Sequence, residues 1–406
     1  MTSPLAQKTL GHIQQLAAVT DEPGVVCRTF LSPAMKRANA LVGGWMLDLG
    51  GTVEEDSWGN LIGHFAGASP DAQTLLLGSH LDTVPNAGKY DGPLGVLVAL
   101  ASLESLKSRG IRLPFHVDVI GFSDEEGTRF HTAYLGSKAL TGRLEKADLE
   151  LRDAQGVTVR EAVTAHQGVG HLSLPVPRYR SEQLLGYVEV HIEQGPVLEA
   201  QSQALGVVDG IAAQTRLVYT LEGKAGHAGT TPMNLRRDAL AGAAELVLAA
   251  EKIGLATSGL VATVGQLQVQ PGASNVIPDQ VRLSVDIRHP ERPTADEACA
   301  RLASEAQSIA SRRGLKTSHT TVQSTDGVAC APHLIERLTR AVKQTVVPHL
   351  ISGAGHDGIV LSQVTPVAML FVRCKDGLSH HPDEHVDLAD IDAACTALAD
   401  FLEHFQ

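Results

Sequence analysis

Two patterns of hydrophobic and polar positions follow one another along the chain. From Leu10 to about Leu205, short apolar runs alternate with longer stretches of helical spacing, an order typical of a largely parallel α/β sheet. The pattern predicts strands at Thr74–Leu77, Phe115–Phe122 and Tyr187–Ile192 and a helix at Leu94–Lys107. Acidic and histidine residues follow the three strands, and ligands of open α/β sheets bind beyond the carboxyl ends of strands. The chemistry is therefore expected at one edge of the sheet.

The pattern changes near Gly206–Gly210. The next segments predict a strand, a helix, two strands, a helix and a strand, at Arg216–Glu222, Asp238–Ile253, Leu260–Leu267, Val281–Ile287, Ala295–Arg312 and Thr317–Gln323. This βαββαβ order is that of the ferredoxin-like unit. A helix, a strand and a helix then resume the first pattern, at His333–Val347, Val367–Val372 and Ala389–Phe405. We predict an α/β domain of residues 1–210 and 327–406, interrupted by an inserted domain of residues 211–326.

Composition supports two domains and excludes some partners. The chain has 406 residues, of which 43% are hydrophobic, and this length exceeds the roughly 250–300 residues at which single cores divide. With 33 Lys+Arg against 45 Asp+Glu, the net charge of -12 disfavours binding to nucleic acid or to an anionic membrane. The longest apolar run, near Leu94–Leu103, is too short to span a bilayer, and Met1–Leu16 lacks the features of a signal peptide. A cytoplasmic location is expected.

The five cysteines are scattered and have no CxxC spacing, so neither a disulfide framework nor a thiolate zinc site is indicated. Histidines next to carboxylates are the better candidates. His80 and Asp91 both follow a predicted buried strand, and imidazole with carboxylate suits zinc, manganese or similar ions. Asp82 is placed to accept the other N–H of the His80 ring. The alternative is a merely solvated polar loop.

Two adjacent glutamates, Glu125 and Glu126, end another apolar strand. Consecutive side chains of extended backbone point in different directions, so one carboxylate could bind a metal while the other faces a bound water as general base. Paired glutamates are usually surface charge, but the buried strand and the glycine turn beside them favour the site.

Two further histidine positions complete the candidate ligands. His191 projects from a strand end, where an isolated histidine is more often a hydrogen-bonded core residue. In the segment Gly377–Pro382, either His380 or His381 could reach inward, and one of the pair is expected to be a surface neighbour.

Taken together, these segments resemble the M20 metallopeptidase clan, and within it the amidase branch that contains allantoate amidohydrolases, N-carbamoyl-L-amino-acid hydrolases and β-ureidopropionases. The motifs run in family order from about residue 78 to 385 and are GSHLDTV, KYDG, FSDEEG, VEVHIEQGPVLE, GKAGHAGTTPM, GASNVIP, SGAGHD and GLSHHPDEH. His191 stands where peptidase members of the clan carry a carboxylate, which indicates the amidase branch.

The resemblance implies a catalytic domain with two divalent metal ions, zinc or manganese, with cobalt or nickel as further options. One ion would be held by His80, Asp91 and His191, and the other by Asp91, Glu126 and His380, with Asp91 bridging and Glu125 as the base. Paired ions about 3.5–4 Å apart activate a water and polarise the carbonyl that it attacks.

The resemblance also extends to the inserted domain, which would act as a lid and as the dimer interface. His227 and Asn275 lie at glycine-rich turns, from which they could stabilise an oxyanion, and Arg288 offers a planar fork for a substrate carboxylate. In the family these residues come from the partner subunit of a homodimer. Read in isolation, they would be a loop histidine, a turn asparagine and a surface arginine. Substrate contacts from the catalytic domain would be Gln194, Gly355 and His356.

The implied reaction is hydrolysis of a C–N bond in a small ureido acid, with release of ammonia and carbon dioxide. Three segments resemble the allantoate enzymes most closely and therefore favour allantoate as the substrate, at 86–92, 122–127 and 205–211. An N-carbamoyl-L-amino-acid hydrolase is the close alternative, since both substrates present a carboxylate and a ureido group. A dipeptidase, and a noncatalytic carboxylate-binding protein on the same fold, are further alternatives. The presence of every ligand and of Glu125 argues against the latter.

Overall fold

The computed structural model describes residues 3–168 and 173–405. The chain forms two compact units, the first made of Met1–Asp209 with Cys330–Gln406 and the second of Gly210–Ala329. These divisions lie beside the two crossings expected near Gly210 and Asp326. The predicted roles, catalysis for the first unit and lid or dimer interface for the second, stay predictions.

The helices are α1 (Pro4–Ala17), α2 (Pro33–Leu49), α3 (Pro93–Ser108), α4 (Leu135–Leu140), α5 (Val159–Gln167), α6 (Val197–Ala200), α7 (Ala239–Ala256), α8 (Arg292–Arg313), α9 (Pro332–Ala341), α10 (Gly358–Leu361) and α11 (Leu388–Glu403). The strands are β1 (Thr52–Glu55), β2 (Leu61–Phe65), β3 (Thr74–His80), β4 (His116–Phe122), β5 (Leu184–Ile192), β6 (Leu205–Ile211), β7 (Ala213–Glu222), β8 (Gly226–His227), β9 (Val261–Gln270), β10 (Val276–Ile277), β11 (Gln280–His289), β12 (Lys316–Thr325), β13 (Val328–Ala329), β14 (His349–Ser352) and β15 (Val367–Val372).

The first unit is built on a mixed sheet with the order β1-β2-β4-β3-β5-β15-β6. Its four central strands, β4, β3, β5 and β15, run parallel, while β2 and β6 join antiparallel on either side. His80 at the end of β3 pairs with Phe122 at the end of β4. The parallel strands therefore deliver their carboxyl ends to one edge, and the prediction of a mixed, largely parallel sheet flanked by helices is confirmed.

Continuous burial explains why these strands read as unbroken apolar runs. Every residue of β4 is buried, as are 12 of the 16 residues of α3, which packs against α1 and α11. A central parallel strand is covered on both faces and needs no polar alternation. Among the described residues, no helix has the length and apolar character to cross a bilayer.

The predicted helix His333–Val347 is wrong in its second half. Helix α9 stops at Ala341, and Val342 is already extended, with φ -73° and ψ 114°. Beyond the end of the helix, the Gln344 side chain accepts hydrogen bonds from the backbone N–H groups of Ala204 and Leu205, at 3.1 and 2.8 Å. This side chain covers the start of β6, so a tertiary contact overrides the local helical pattern.

The second unit is a four-stranded antiparallel sheet with the order β12-β7-β11-β9. Helix α7 follows β7 and helix α8 follows β11, so the chain order is βαββαβ. Alternate residues of β7 and β11 are buried and form one core with both helices. The strands were recognisable because a sheet with helices on one face requires this alternation.

Arg28 ties the amino-terminal segment of the first unit to the loop after β3. The guanidinium is fully buried and donates to three main-chain carbonyls, those of Leu81 at 3.0 Å and of Leu16 and Val19 at 3.1 Å. Burial lowers its pKa to about 10, which still leaves it protonated at neutral pH. These bonds fix the backbone next to His80.

Candidate metal centre and active site

The carboxyl edge of the central sheet gathers the predicted ligands. His80 is the last residue of β3, and His191 is the last but one of β5. The Glu125–Glu126 pair follows β4. Two loops from distant parts of the sequence add Asp91 and His380. His80, Asp91 and His191 are buried.

The carboxylate of Asp91 lies at the centre of this group. Its Oδ1 is 3.1 Å from His191 Nε2 and 3.4 Å from His80 Nε2. Its Oδ2 is 3.2 Å from His380 Nε2, and that nitrogen is 3.5 Å from Glu126 Oε1. The two oxygens of one carboxylate therefore face two different sets of ligands.

These two sets fit divalent metal ions. The candidate ligand atoms of His80, Asp91 and His191 lie within 4.8 Å of one another, and so do those of Asp91, Glu126 and His380. Imidazole nitrogen and carboxylate oxygen are the donors that zinc and manganese accept. A buried carboxylate surrounded by imidazoles would otherwise have to be stabilised by protonated rings, which is a costly arrangement without a cation.

The close contacts among these side chains shift their pKa values. Burial opposes ionisation of Asp91, but hydrogen bonds from His191, His380 and His80 outweigh it and hold the pKa of the carboxyl well below its usual value. The same contact with Asp91 raises the pKa of His380 to about 9. Burial and the nearby Asp91 charge raise the pKa of Glu126 to about 7.

Asp82 is used differently from the prediction. The Nδ1 atom of His80 is 3.0 Å from the main-chain carbonyl of Asp82, whereas the Asp82 carboxylate is 3.6 Å away. The carboxylate instead accepts hydrogen bonds from the backbone N–H groups of Glu125 and Glu126, at 3.1 and 3.2 Å. The backbone of Asp82 thus orients the His80 ring, and its side chain positions the acidic pair.

Glu125 has the environment expected of a general base. It is 9% exposed, and burial raises the pKa of its carboxyl well above its usual value, with further contributions from Glu126 and Asp357. His80 acts in the opposite direction. Positive charge placed at this edge would favour the carboxylate form, which is the form that accepts a proton.

The structure separates the two neighbouring histidines. His380 is in the left-handed region with φ 55°, and its ring reaches both Asp91 and Glu126. Both rings are half exposed, but the His381 ring interacts with Asp383, 3.7 Å away. The geometry therefore favours His380 over His381 as a ligand, and its left-handed backbone is strain of the kind found at functional sites.

The predicted substrate contacts of the first unit also lie at this edge. Gln194 has φ 56° and donates from Nε2 to Asp91 Oδ2 at 2.8 Å, while its buried Oε1 has no partner among the described residues. The ring centroid of His356 is 4.6 Å from that of His191, and burial lowers its pKa well below the usual value. His356 Nε2 lies 2.8 Å from Ser352 Oγ. Gly355 precedes it in the same loop.

The remaining predicted residues lie in the second unit. His227 and Asn275 are exposed and adjacent, since the backbone N–H of Ala228 donates to the Asn275 carbonyl at 2.9 Å. Arg288 lies on β11, where its Nε and Nη2 donate to the Asp286 carboxylate at 2.8 and 2.9 Å.

Sequence reasoning missed Glu384, which lies beneath the Asp91 loop. Its buried carboxylate accepts the backbone N–H groups of Tyr90 and Asp91, at 2.7 and 3.1 Å. The Ser379 hydroxyl lies 3.2 Å from this carboxylate and donates its single proton to the nearer Asp91 Oδ2, at 2.5 Å. A Cβ atom on Gly88 would lie 2.3 Å from this carboxylate, so only glycine fits there. The motif GLSHHPDEH contains Glu384, but nothing local indicates that it supports a loop almost 300 residues away.

Comparison with known proteins agrees with this geometry. The sequence model of Peptidase family M20/M25/M40 matches residues 76–404. The chain belongs to this family. An allantoate deiminase of Arabidopsis thaliana is 40% identical, over 98% of this chain and 82% of its own length. An N-carbamoyl-L-amino acid amidohydrolase of Geobacillus stearothermophilus is 39% identical, over 97% of this chain and 96% of its own.

A solved structure is also similar over almost the whole chain. The crystal structure of an amidase of the hydantoinase/carbamoylase family from Burkholderia multivorans superposes with a TM-score of 0.91 at 34% identity, covering 98% of this chain and 97% of its own. The resemblance inferred from the motifs is thereby confirmed.

Uptake of manganese or zinc by chelator-stripped protein is expected to release protons near pH 7.5. The His380 ring, with its pKa raised to about 9, carries a proton there, and a ligand must be neutral imidazole. The apparent metal affinity should therefore rise with pH from about pH 6, which is below the raised pKa of Glu126. It should level off above about pH 9. Calorimetry in two buffers of different protonation enthalpy measures the number of protons released.

The matched pair for this measurement is His380→Ala and His381→Ala. The first is expected to release about one proton fewer than the wild type at about pH 7.5, and the second the same number. Equal proton release from both variants would contradict the assignment of His380.

Proposed function

We propose that this chain is a metal-dependent amidohydrolase that cleaves a C–N bond of a small ureido acid, allantoate in the first place, with release of ammonia and carbon dioxide. The observation that carries the proposal is the Asp91 carboxylate, whose two oxygens face His80 with His191 and His380 with Glu126, beside the buried Glu125. An N-carbamoyl-L-amino-acid hydrolase is the alternative substrate assignment.

In this proposal the two sets of ligands hold two divalent ions, zinc or manganese in the first place. Bound divalent ions supply a water that is acidic enough to be deprotonated near neutral pH, and they polarise the carbonyl under attack. The protein's own part is to keep the ligands in place, and Glu384, Ser379 and the backbone of Asp82 do so through the hydrogen bonds described above.

Glu125 takes the proton of the attacking water and passes it to the departing nitrogen. The Asp82 carboxylate fixes the backbone of this residue, so the base is held in a single position. Burial raises the pKa of this carboxyl, which makes its ionised form a stronger proton acceptor than an exposed glutamate.

The substrate class rests on the relatives and on Arg288. The curated relatives are named for allantoate and for N-carbamoyl-L-amino acids, and both substrates carry a carboxylate next to a ureido group. We assign the carboxylate to Arg288, whose guanidinium is oriented by two hydrogen bonds to Asp286. The planar guanidinium presents its N–H donors in a fixed fork, which is the geometry that suits a carboxylate.

We further infer a homodimer in which His227, Asn275 and Arg288 of the second unit complete the active site of the partner subunit. The motifs that carry these residues support this arrangement, together with the exposure of His227 and Asn275. His227 and Asn275 would stabilise the negative oxygen of the tetrahedral intermediate. A cytoplasmic location and a role in purine catabolism belong to the same proposal.

Ammonia release by chelator-stripped enzyme reloaded with manganese or zinc tests the substrate assignment. Allantoate and a panel of N-carbamoyl-L-amino acids are compared at equal concentration. Several dipeptides are tested in parallel by the release of free amino acids, because peptide hydrolysis frees no ammonia. We expect allantoate to be hydrolysed fastest and Glu125→Gln to lower kcat by roughly 10²–10⁴-fold while leaving the metal content unchanged. A preference of more than about tenfold for a carbamoyl amino acid, about 1.4 kcal/mol in transition-state binding, would exclude allantoate as the main substrate. Cleavage of dipeptides alone would exclude the amidase assignment.

Subunit mixing tests the composite site. Glu125→Ala and Arg288→Ala are each expected to be inactive as homodimers, because each lacks one group that every site needs. Unfolded and refolded together, they form heterodimers in which one of the two sites has both groups intact. We expect up to about a quarter of the wild-type activity, since half of the dimers are mixed and each has one complete site. No recovery, with heterodimers verified by two affinity tags, would show that each subunit uses its own Arg288.

A further inference from the structure

A tyrosine, Tyr134, lies at the same edge of the first unit, next to the turn that carries Glu125. It precedes α4 in the left-handed region, with φ 70° and ψ 24°. This backbone is rare for a bulky residue and indicates a position that the surrounding structure imposes. Its backbone N–H donates to the carbonyl of Asp124 at 2.6 Å, so Tyr134 is tied to the turn that carries Glu125.

The phenol of Tyr134 lies directly over the backbone of Gly355. A Cβ atom on Gly355 would be 1.9 Å from the hydroxyl oxygen and 3.3 Å from Cζ, so any larger residue would displace the hydroxyl. The hydroxyl of Ser137, in α4, donates to the Asp357 carboxylate at 2.5 Å and fixes this loop against α4. The requirement for glycine at 355 thus comes from Tyr134.

The Tyr134 hydroxyl has no protein hydrogen-bond partner within residues 3–168 and 173–405. The side chain as a whole is only partly exposed. Burial, reinforced by the charges of Glu125 and Asp357, raises the pKa of the phenol well above its usual value. The group therefore keeps its proton and is a neutral donor that no protein group of the described residues occupies.

We propose that the Tyr134 hydroxyl donates a hydrogen bond to the ureido oxygen of the bound substrate, beside Glu125. This inference rests on the proposed function, since it takes a ureido acid as the substrate. The ureido group is favoured over the substrate carboxylate because Tyr134 is tied to the turn that carries Glu125, the proposed base for attack on the ureido carbon, whereas the carboxylate is assigned to Arg288. The ureido oxygen is neutral in the substrate and gains negative charge only as water adds to its carbon.

A donor aimed at such an oxygen binds the transition state more strongly than the ground state. The loss of the hydroxyl should therefore lower kcat more than it raises KM. This distinguishes Tyr134 from a residue that only supports the fold, whose replacement would lower thermal stability and metal content as well.

The test compares Tyr134→Phe with wild-type enzyme on the best substrate of the ammonia-release panel. We expect kcat to fall about 10- to 100-fold, with KM changed by less than about threefold. The metal content and the melting temperature should equal those of the wild type. The matched control is Tyr219→Phe, which removes another hydroxyl without a partner, but from the core of the second unit. This variant should keep wild-type kcat and KM.

A second pair of variants tests the contact independently of catalysis. Gly355→Ala should lower the melting temperature, and adding Tyr134→Phe should restore part of the loss, because the hydroxyl that meets the new methyl group is gone. Restoration of less than a tenth of the loss would show that the phenol does not lie over Gly355.

The outcomes separate this inference from the proposed function. If the wild type hydrolyses a ureido acid and Tyr134→Phe keeps kcat within twofold, the hydroxyl makes no catalytic contact and the inference is wrong. If the wild type hydrolyses no ureido acid at all, the proposed function fails, and the ureido contact fails with it.

Discussion

The arrangement of this edge of the sheet depends on the buried carboxylate of Asp91. Three imidazoles, those of His80, His191 and His380, approach its two oxygens from different sides. A buried carboxylate is unfavourable unless it is paired with positive charge and hydrogen-bonded, so the surrounding loops must supply both. Much of the local structure can be understood as meeting this demand.

Close packing is one part of that structure. A Cβ atom on Gly92, which follows Asp91, would lie 2.5 Å from the His80 ring, and one on Gly88 would overlap the carboxylate of Glu384. Both glycines let the Asp91 loop lie directly against a side chain that supports the centre. The loop is held from below by Glu384 through two backbone N–H groups. The Asp91 carboxylate is therefore held in place by the backbone of its loop as well as by the imidazoles around it.

Much of the fold followed from periodicity. The strands beneath the site are buried on both faces and read as apolar runs, and the strands of the second unit alternate because helices cover one face only. The error at 333–347 arose where a single side chain, Gln344, finds partners on β6 that a local pattern does not show.

The same contrast between local patterns and distant contacts applies to the candidate site. The candidate ligands could be named because they lie in short motifs, most of them next to a strand end. Glu384, Tyr134 and the contacts of the Asp82 side chain could not be predicted, because each makes its contact with a backbone that is distant in sequence. Asp82 bonds the backbone of Glu125, Glu384 that of Tyr90, and the Tyr134 hydroxyl lies over Gly355. Residues that support a site carry no signature of their own in one sequence.

The metal content of Asp91→Asn tests most directly whether this one carboxylate organises the centre. Wild-type protein and the variant are stripped with a chelator, reloaded with manganese or zinc and desalted, and the bound metal is counted by mass spectrometry. Asp383→Asn, a change at an exposed carboxylate nearby, is the control. We expect about two ions per chain in the wild type and the control, and almost none in Asp91→Asn, together with loss of activity. Two ions per chain in a folded Asp91→Asn protein would contradict the bridging role of Asp91.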